Sequence, residues 1–518
     1  MKSALIKFVG RPQRMMVWAF VIVFALLMSS GAPSVAAQTQ AQQTQGSQTQ
    51  GQQTQGPQTQ GQQTQGPQAQ GPQQDDPDVR QLRDKLQKLE QTVEELKTQL
   101  ASIEQAKKTT LGGPSDRASA APSGETPSVN GNKKQDKDKD SDTTFEVYGF
   151  AMLDSGYQFK QNDPNWFDVV RPVKLPSFKD EFAPDGKVFY GVRQSRLGVK
   201  SSIPTAFGEL KTKFEFELFG TGVDAGQTTF RLRHAWGELK HFGAGQNNST
   251  FMDPDVFPNT IEYWGPNGMI LFRNVQIRWM PIIGDNAVSI ALERPGASGD
   301  QGVFQDRIEL TGIRPKFDLP DLTGNVRFTR GWGHLQVSGL VRRIRWIDVQ
   351  NDQFDLAGTA VGWGVNTSSV VKFGKNDVGR FSVVYGHGVE NYFNDAPVDV
   401  GIAPTNSTDP SKPIKGVALG DLGVVAYLDH TWNKRFSSSV GYSLVNIENS
   451  SLQAANAFHR GHYASGNVLF YPTENSMVGA EFIWGRRENF SDGFGVNDFR
   501  LQISFKYNFS KVFIGGSK

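Results

Sequence analysis

The chain has 518 residues, 37% of them hydrophobic, a formal net charge of +2 and no cysteine. Near-neutral charge removes the electrostatic case for a nucleic-acid partner, and the missing cysteine excludes disulfide scaffolds and thiol chemistry. A mean hydropathy of −0.44 excludes a bundle of membrane helices, but a transmembrane barrel alternates lipid-facing and lumen-facing residues and keeps its mean low.

In chain order, Lys2, Lys7, Arg11 and Arg14 precede an apolar run from Met15 to Met28, and the small residues SVAA end at Ala37. That is the pattern of a secretory signal peptide over 1–37, and the run is too short to span a bilayer. Residues 38–77 repeat GSQTQ, GQQTQ and GPQTQ-like units, which offer nothing to bury and predict disorder. Then Val79, Leu82, Leu86, Leu89, Val93, Leu96, Leu100 and Ile103 recur at 3-4 spacing. All eight fit heptad a and d positions, so 78–108 reads as a coiled coil extending about 40 Å, hence a self-associating chain. A Gly/Pro/Ser-rich and then charged stretch, 109–143, reads as a solvated linker.

From 144 to 518 the period becomes two. In FRLQISFKYNF (499–509), Phe499, Leu501, Ile503, Phe505, Tyr507 and Phe509 alternate with Arg500, Gln502, Ser504, Lys506 and Asn508, which is a strand. Such segments fall at 145–159, 188–202, 207–219, 228–240, 243–249, 269–281, 286–294 and 323–331, then at 333–347, 357–373, 379–393, 418–431, 435–449, 458–471, 476–488 and 496–509. The stretch 295–322 has room for a further strand pair. The connections after the even-numbered strands are short, and most of those after the odd-numbered ones are longer. A soluble sandwich has no reason to sort its loops by end, whereas an outer-membrane barrel does. The expected class is therefore all-β, a transmembrane antiparallel β-barrel of about sixteen strands, preceded by a short periplasmic coiled-coil helix and disordered linkers. Its apolar face would meet lipid. Arg342, Arg343 and Arg345 break the alternation and are expected at the extracellular rim, where a cation on the barrel exterior costs little.

Two stretches, FPNTIEYWGPNGMILFRNVQIRW (257–279) and DLTGNVRFTRGWGHLQVSGLVRR (321–343), together with the signal peptide, coiled coil and barrel, resemble the DcaP-type trimeric outer-membrane porins of Gram-negative bacteria. The resemblance implies a homotrimer that passes small anionic solutes, for example dicarboxylates, through a basic constriction. One departure is the tail: such barrels end on an aromatic residue, whereas SKVFIGGSK follows Phe509 here, so the last strand ends at Phe509 or at Phe513.

Acidic and basic residues balance over the folded part, so selectivity has to come from placement. Candidate pore and anion-binding residues are Arg193, Arg196, Arg231, Arg233, Arg278 and Arg327, since guanidinium groups hold carboxylates bidentately and basic rings favour anions. Arg193 and Arg196 are three apart, so strict alternation turns only one of them inward. Lys211, Lys213, Arg487, Arg500 and Lys506 also read as lumen-facing, as do Glu209, Glu215, Glu217, Glu238 and Glu481, and arginines paired with these glutamates would merely stiffen the wall. The loop FMDPDVFPNTIEYWGPNGM (251–269) is expected to fold inward as a constriction loop, with Asp253, Asp255 and Glu262 facing the basic wall. No GxSxG or HExxH occurs in the folded part, so no enzyme, cofactor or metal is expected. The expected partners are small anionic solutes, outer-membrane lipid and further copies of the chain. A different class of function, an envelope tether joining the outer membrane to peptidoglycan through the coiled coil with a non-selective pore, is the alternative.

Overall fold

The computed structural model describes residues 143–298, 313–349 and 351–515. The expected signal peptide, Gln-rich tract, coiled coil and nearly all of the linker lie outside the described residues. What is described is an antiparallel barrel of sixteen strands. β1 is Thr143–Gln158, and β2 is split into Lys187–Gly191 and Arg196–Thr205. β3 is Gly208–Phe219, β4 Thr228–Leu239, β5 Phe242–Asn248, β6 Arg273–Ile282, β7 Asn286–Glu293 and β8 Asp321–Arg330. β9 is Gly333–Asp348, β10 Gly358–Phe373, β11 Asp377–His387 and β12 Gly420–Asn433. β13 is Phe436–Glu448, β14 Phe458–Thr473, β15 Ser476–Asn489 and β16 Gly495–Gly515. Each strand pairs with its sequence neighbour, and β1 pairs with β16 from Thr143↔Gly515 to Gln158↔Arg500. That last pairing closes the sheet and leaves no free edge.

The connections sort by end. Those at 206–207, 240–241, 283–285, 331–332, 374–376, 434–435 and 474–475 are tight turns, while those at the opposite end include 159–186, 249–272, 294–320 and 388–419. The faces sort as well. On β16, Leu501, Ile503, Phe505, Tyr507 and Phe509 are exposed, whereas Arg500, Gln502 and Ser504 are fully buried. This inverts a soluble protein: the apolar face is outside and the polar face is packed, as lipid requires.

Several details depart from the sequence reading. β2 is interrupted at Val192–Ser195, where the Ser195 hydroxyl takes over pairing duty, accepting from the Met152 N–H at 3.0 Å. β6 starts at Arg273 rather than 269, because Met269 and Ile270 belong to the inward loop. β11 stops at His387, where Gly388 adopts φ 64°, a conformation open to glycine. The following connection contains an unforeseen hairpin, Val400–Pro404 against Ile414–Ala418. Among the described residues, 295–322 yields no further strand pair, only Ile313–Pro315, which extends the β8 side of β9. The last strand passes both candidate ends and runs to Gly515.

Ile503 lies midway along the apolar belt of β16, so Ile503→Lys places an ammonium in hydrocarbon. It should destabilise the barrel by about 2–4 kcal/mol, read from urea titrations of the protein folded into phosphatidylcholine vesicles. A neutral result would mean that this face does not meet lipid.

Candidate functional site

The interior is furnished by wall side chains and by chain that folds inward from the long-loop end. Segment 249–272 follows the inner wall. Near its start, Asn366 and Gln336 donate side-chain N–H groups to the carbonyls of Phe251 and Met252. Midway, the Asn467 amide donates to Asn259 O at 2.8 Å, and Glu481 accepts from the backbone N–H groups of Ile261 and Glu262. Near its end, Gly268 N–H donates to the Ser443 hydroxyl at 2.8 Å. Backbone polar groups of a buried loop need such partners, and the inward-facing Asn, Gln, Glu and Ser residues of β9, β10, β13, β14 and β15 supply them.

Glycine permits the closest approach. A Cβ on Gly268 would lie 2.2 Å from Leu444 O and 2.8 Å from Val424 O. Segment 159–186 enters alongside, tied by Arg171 to Asp395 at 2.8 Å, and Arg171 also stacks over Trp166 and Trp264.

Two carboxylates on β3 gather the basic groups. Arg233 reaches Glu215 and Glu217 at 2.6 Å each. Arg196 stands 3.7 and 3.6 Å from the same pair. Lys213 is 3.6 Å from Glu215, and Arg231 and Arg273 are 3.6 and 3.8 Å from Glu217. Five cations therefore surround two anions. The Tyr263 hydroxyl from the inward loop donates to Glu217, and its ring stacks on Phe219 at 3.9 Å. The arginines differ in access: the Arg233 side chain is 7% exposed and that of Arg231 30%. Arg233 serves the wall, whereas Arg231 keeps an open side.

Of the residues expected from sequence, Arg196, Arg231 and Arg233 come together here. Arg193 also turns inward, contrary to the alternation argument, because the break at Val192–Ser195 resets the phase. It is fully buried against Asp168 and over the Phe219 ring at 3.8 Å, so it anchors chain and meets no solute. Arg278 is elsewhere, against Trp236 and Gln276. Arg327 binds Asp253 and Asp255.

Of the three loop carboxylates expected to face the basic wall, Asp253 and Asp255 meet one of its expected members, Arg327. Asp253 and Asp255 are held by the wall they lie on. Glu262 accepts from Val170 N–H at 3.0 Å and from the Tyr463 hydroxyl at 3.1 Å. Burial works to raise the Asp253 carboxyl, but the His334 hydrogen bond at 2.7 Å and the charges of His334 and Arg327 hold it below its ordinary value. Asp253, Asp255 and His334 are close enough to share a cation, yet Arg327 already supplies the counter-charge. Arg273 was missed by sequence reasoning: it is the first residue of β6, where the chain has just left the inward loop and alternation does not govern it. Tyr263 carried no signal beyond its place in a long loop.

A second inward feature is the turn Glu390–Tyr392. Glu390 is buried with neither carboxyl oxygen hydrogen-bonded to a donor, and burial and then the neighbouring Asp421 push its carboxyl well above the usual range. Asp399 adds to this, and is itself paired with Arg342 at 3.1 Å.

A family model described as DcaP outer membrane protein matches residues 123–509. Among solved structures, the outer membrane channel DcaP of Acinetobacter baumannii is similar over 72% of this chain and 99% of its own, at 20% identity and a TM-score of 0.58. An anion-selective porin from Comamonas acidovorans aligns over 71% and 100% at 11% identity and TM-score 0.45. OmpT of Vibrio cholerae aligns over 72% and 99% at 13% and 0.43. No protein with a curated description matches the chain.

Gly268→Val should lift segment 249–272 from the wall. Chymotrypsin is then expected to cut within it, while heat-modifiable gel mobility shows the barrel intact; an uncut loop would mean the close approach is dispensable. Glu390 gives a pH dependence of known sign. The docked turn keeps it protonated, whereas a released turn ionises at the ordinary carboxylate value. Docking is undiminished below that value and weakens as pH rises toward and through the raised one. Protection of 388–399 from chymotrypsin should fall over that rise, and Glu390→Gln should shrink the fall, leaving the share of its partner Asp421.

Proposed function

This chain belongs to the DcaP outer membrane protein family, and from that premise we propose that it is a porin passing small hydrophilic anions, dicarboxylates among them, by passive diffusion. The observation that carries the reading is the convergence on β2–β4 and β6 of Arg196, Lys213, Arg231, Arg233 and Arg273 around Glu215 and Glu217. Five basic side chains gathered on one stretch of the wall, with Arg231 partly exposed beside them, favour anions in a narrow, partly dehydrated passage. Arg231, with its open side, is the residue that meets the solute. Its planar fork suits a carboxylate, and a second basic group nearby suits a dianion. Segment 249–272 acts as the constriction, narrowing the passage beside that cluster.

The remaining sequence expectations complete the proposal. The signal peptide exports the chain, the long loops face outward, and residues 38–143 lie in the periplasm. The heptads at 78–108 hold three copies together alongside barrel contacts. The reading assigns no reaction and no cofactor.

Reversal potentials in planar bilayers under a salt gradient test it. The intact protein should prefer anions, and Arg231→Ala should lower the permeability ratio at least twofold. Glu217→Gln should raise it by removing a counter-charge from the cluster. Preference for cations, or an Arg231→Ala variant indistinguishable from the parent, would overturn the anion reading. A protein that gives no conductance at all, but whose loss detaches the outer membrane, would favour the tether.

A further inference from the structure

The arginines that broke the alternation in sequence are divided by the wall. Arg342 points inward and is buried between Asp321 and Asp399, at 3.2 and 3.1 Å. Arg343 and Arg345 point outward. On the same face of β9, Val337 and Val341 are exposed, so the exterior changes from apolar to cationic within one step of the strand. Leu322 pairs with Val341 on one side, and Val361 with Arg343 on the other; both are exposed and continue the apolar belt around the arginines.

Beside them, Ile313–Pro315 pairs with the end of β9 and sets Arg314 opposite Ile347, with Lys316 next in the chain. Both basic residues are exposed. Against these four cations stands Asp318, at 3.5 Å from Arg343 and 2.9 Å from Arg345. Among the described residues, no carboxylate pairs with Arg314 or Lys316. A charged patch on the exterior of β14 and β15 is by contrast closed: Arg460 and Arg486 share Glu488, and Asn446 and Asn497 accept from them as well.

We propose that Arg314, Lys316, Arg343 and Arg345 form a binding surface for a phosphorylated lipid of the outer leaflet. The headgroup phosphate meets the guanidinium groups, and the acyl chains lie on Val341, Leu322 and Val361. Arginine suits phosphate because its fork donates two parallel N–H groups to two oxygens, and basic residues at the headgroup level attract anionic lipid while those deeper in hydrocarbon do not persist. The inference rests on the placement of the long-loop end at the outer leaflet and not on solute selectivity.

The test uses the purified full chain, delipidated in neutral maltoside micelles and titrated with fluorescently labelled lipid A. Saturable binding is expected, weakened roughly thirtyfold in Arg343→Ala/Arg345→Ala. Asp318→Asn, which removes the competing carboxylate, should tighten it several-fold, and this second variant keeps the test decisive if the first fails to fold. Unlabelled phosphatidylcholine should not compete, and conductance of both variants should match the parent. Equal affinity in parent and double variant would overturn the proposal. So would competition by inorganic phosphate at the same concentration as the lipid, which would make the site one for free phosphate. Dissociation of an oligomer in the double variant would instead identify the patch as a contact between copies. Lipid binding through these residues in a protein without conductance would sink the porin reading and leave this one standing.

Discussion

Closure of the sheet by β1 and β16 is the constraint on which the rest of the molecule depends. In hydrocarbon no water is available to a free N–H or C=O, so a sheet edge facing lipid would be costly along its whole length. Pairing every residue of β1 with β16 removes that cost and in doing so fixes an inside and an outside. Alternation then has only one solution. Along the belt apolar side chains go outward, where they need no partner, and most polar or charged side chains go inward, where they need one. The buried residues of this protein are consequently rich in Arg, Asp, Glu, Asn, Gln and Ser, and its stability depends on how completely they satisfy one another.

That demand explains why chain folds into the barrel. A lumen lined with amides, hydroxyls and carboxylates is a set of unused donors and acceptors, and a peptide segment is a matching set. Segment 249–272 uses both the side chains of the wall and its own backbone, with glycine at the tightest point. Beside it, five basic side chains converge on Glu215 and Glu217. The wall-stiffening role and the anion-attracting role considered for the arginines are therefore not rivals. Arg233, chelated by both glutamates, suits the first, and the more exposed Arg231 is the residue proposed for the second.

Much of the barrel was legible because period two survives in lipid as strictly as in water. β14 was expected at 458–471 and spans Phe458–Thr473; the loops sorted by end as expected. The failures sit where something other than alternation controls the chain. At Val192–Ser195 a break lets two arginines three apart both turn inward. The hairpin Val400–Pro404 with Ile414–Ala418 lies outside the wall's pattern, and its short strands carry too few residues to show one. The candidate site was half legible. Arg196, Arg231 and Arg233 follow from strand parity, but Arg273 and Tyr263 are placed by the path of a loop. Where Asp253, Asp255 and Glu262 point depends on which wall residues the loop meets, and no local pattern encodes that.

The same residue type thus does three different jobs, and the neighbouring carboxylates decide which. Arg193, with Asp168, is a buried tie; losing the partner would leave a guanidinium stranded away from water, so the pair holds chain in place. Arg231 shares Glu217 with three other arginines and keeps a partly exposed side, which is why it is the one proposed to meet a mobile anion. Arg343 and Arg345 share Asp318 on the outer surface, where the nearest abundant anion is not in the protein. In a balanced sequence, the role of each arginine is set by which carboxylates stand beside it, and both proposed binding surfaces are places where several basic groups share few of them.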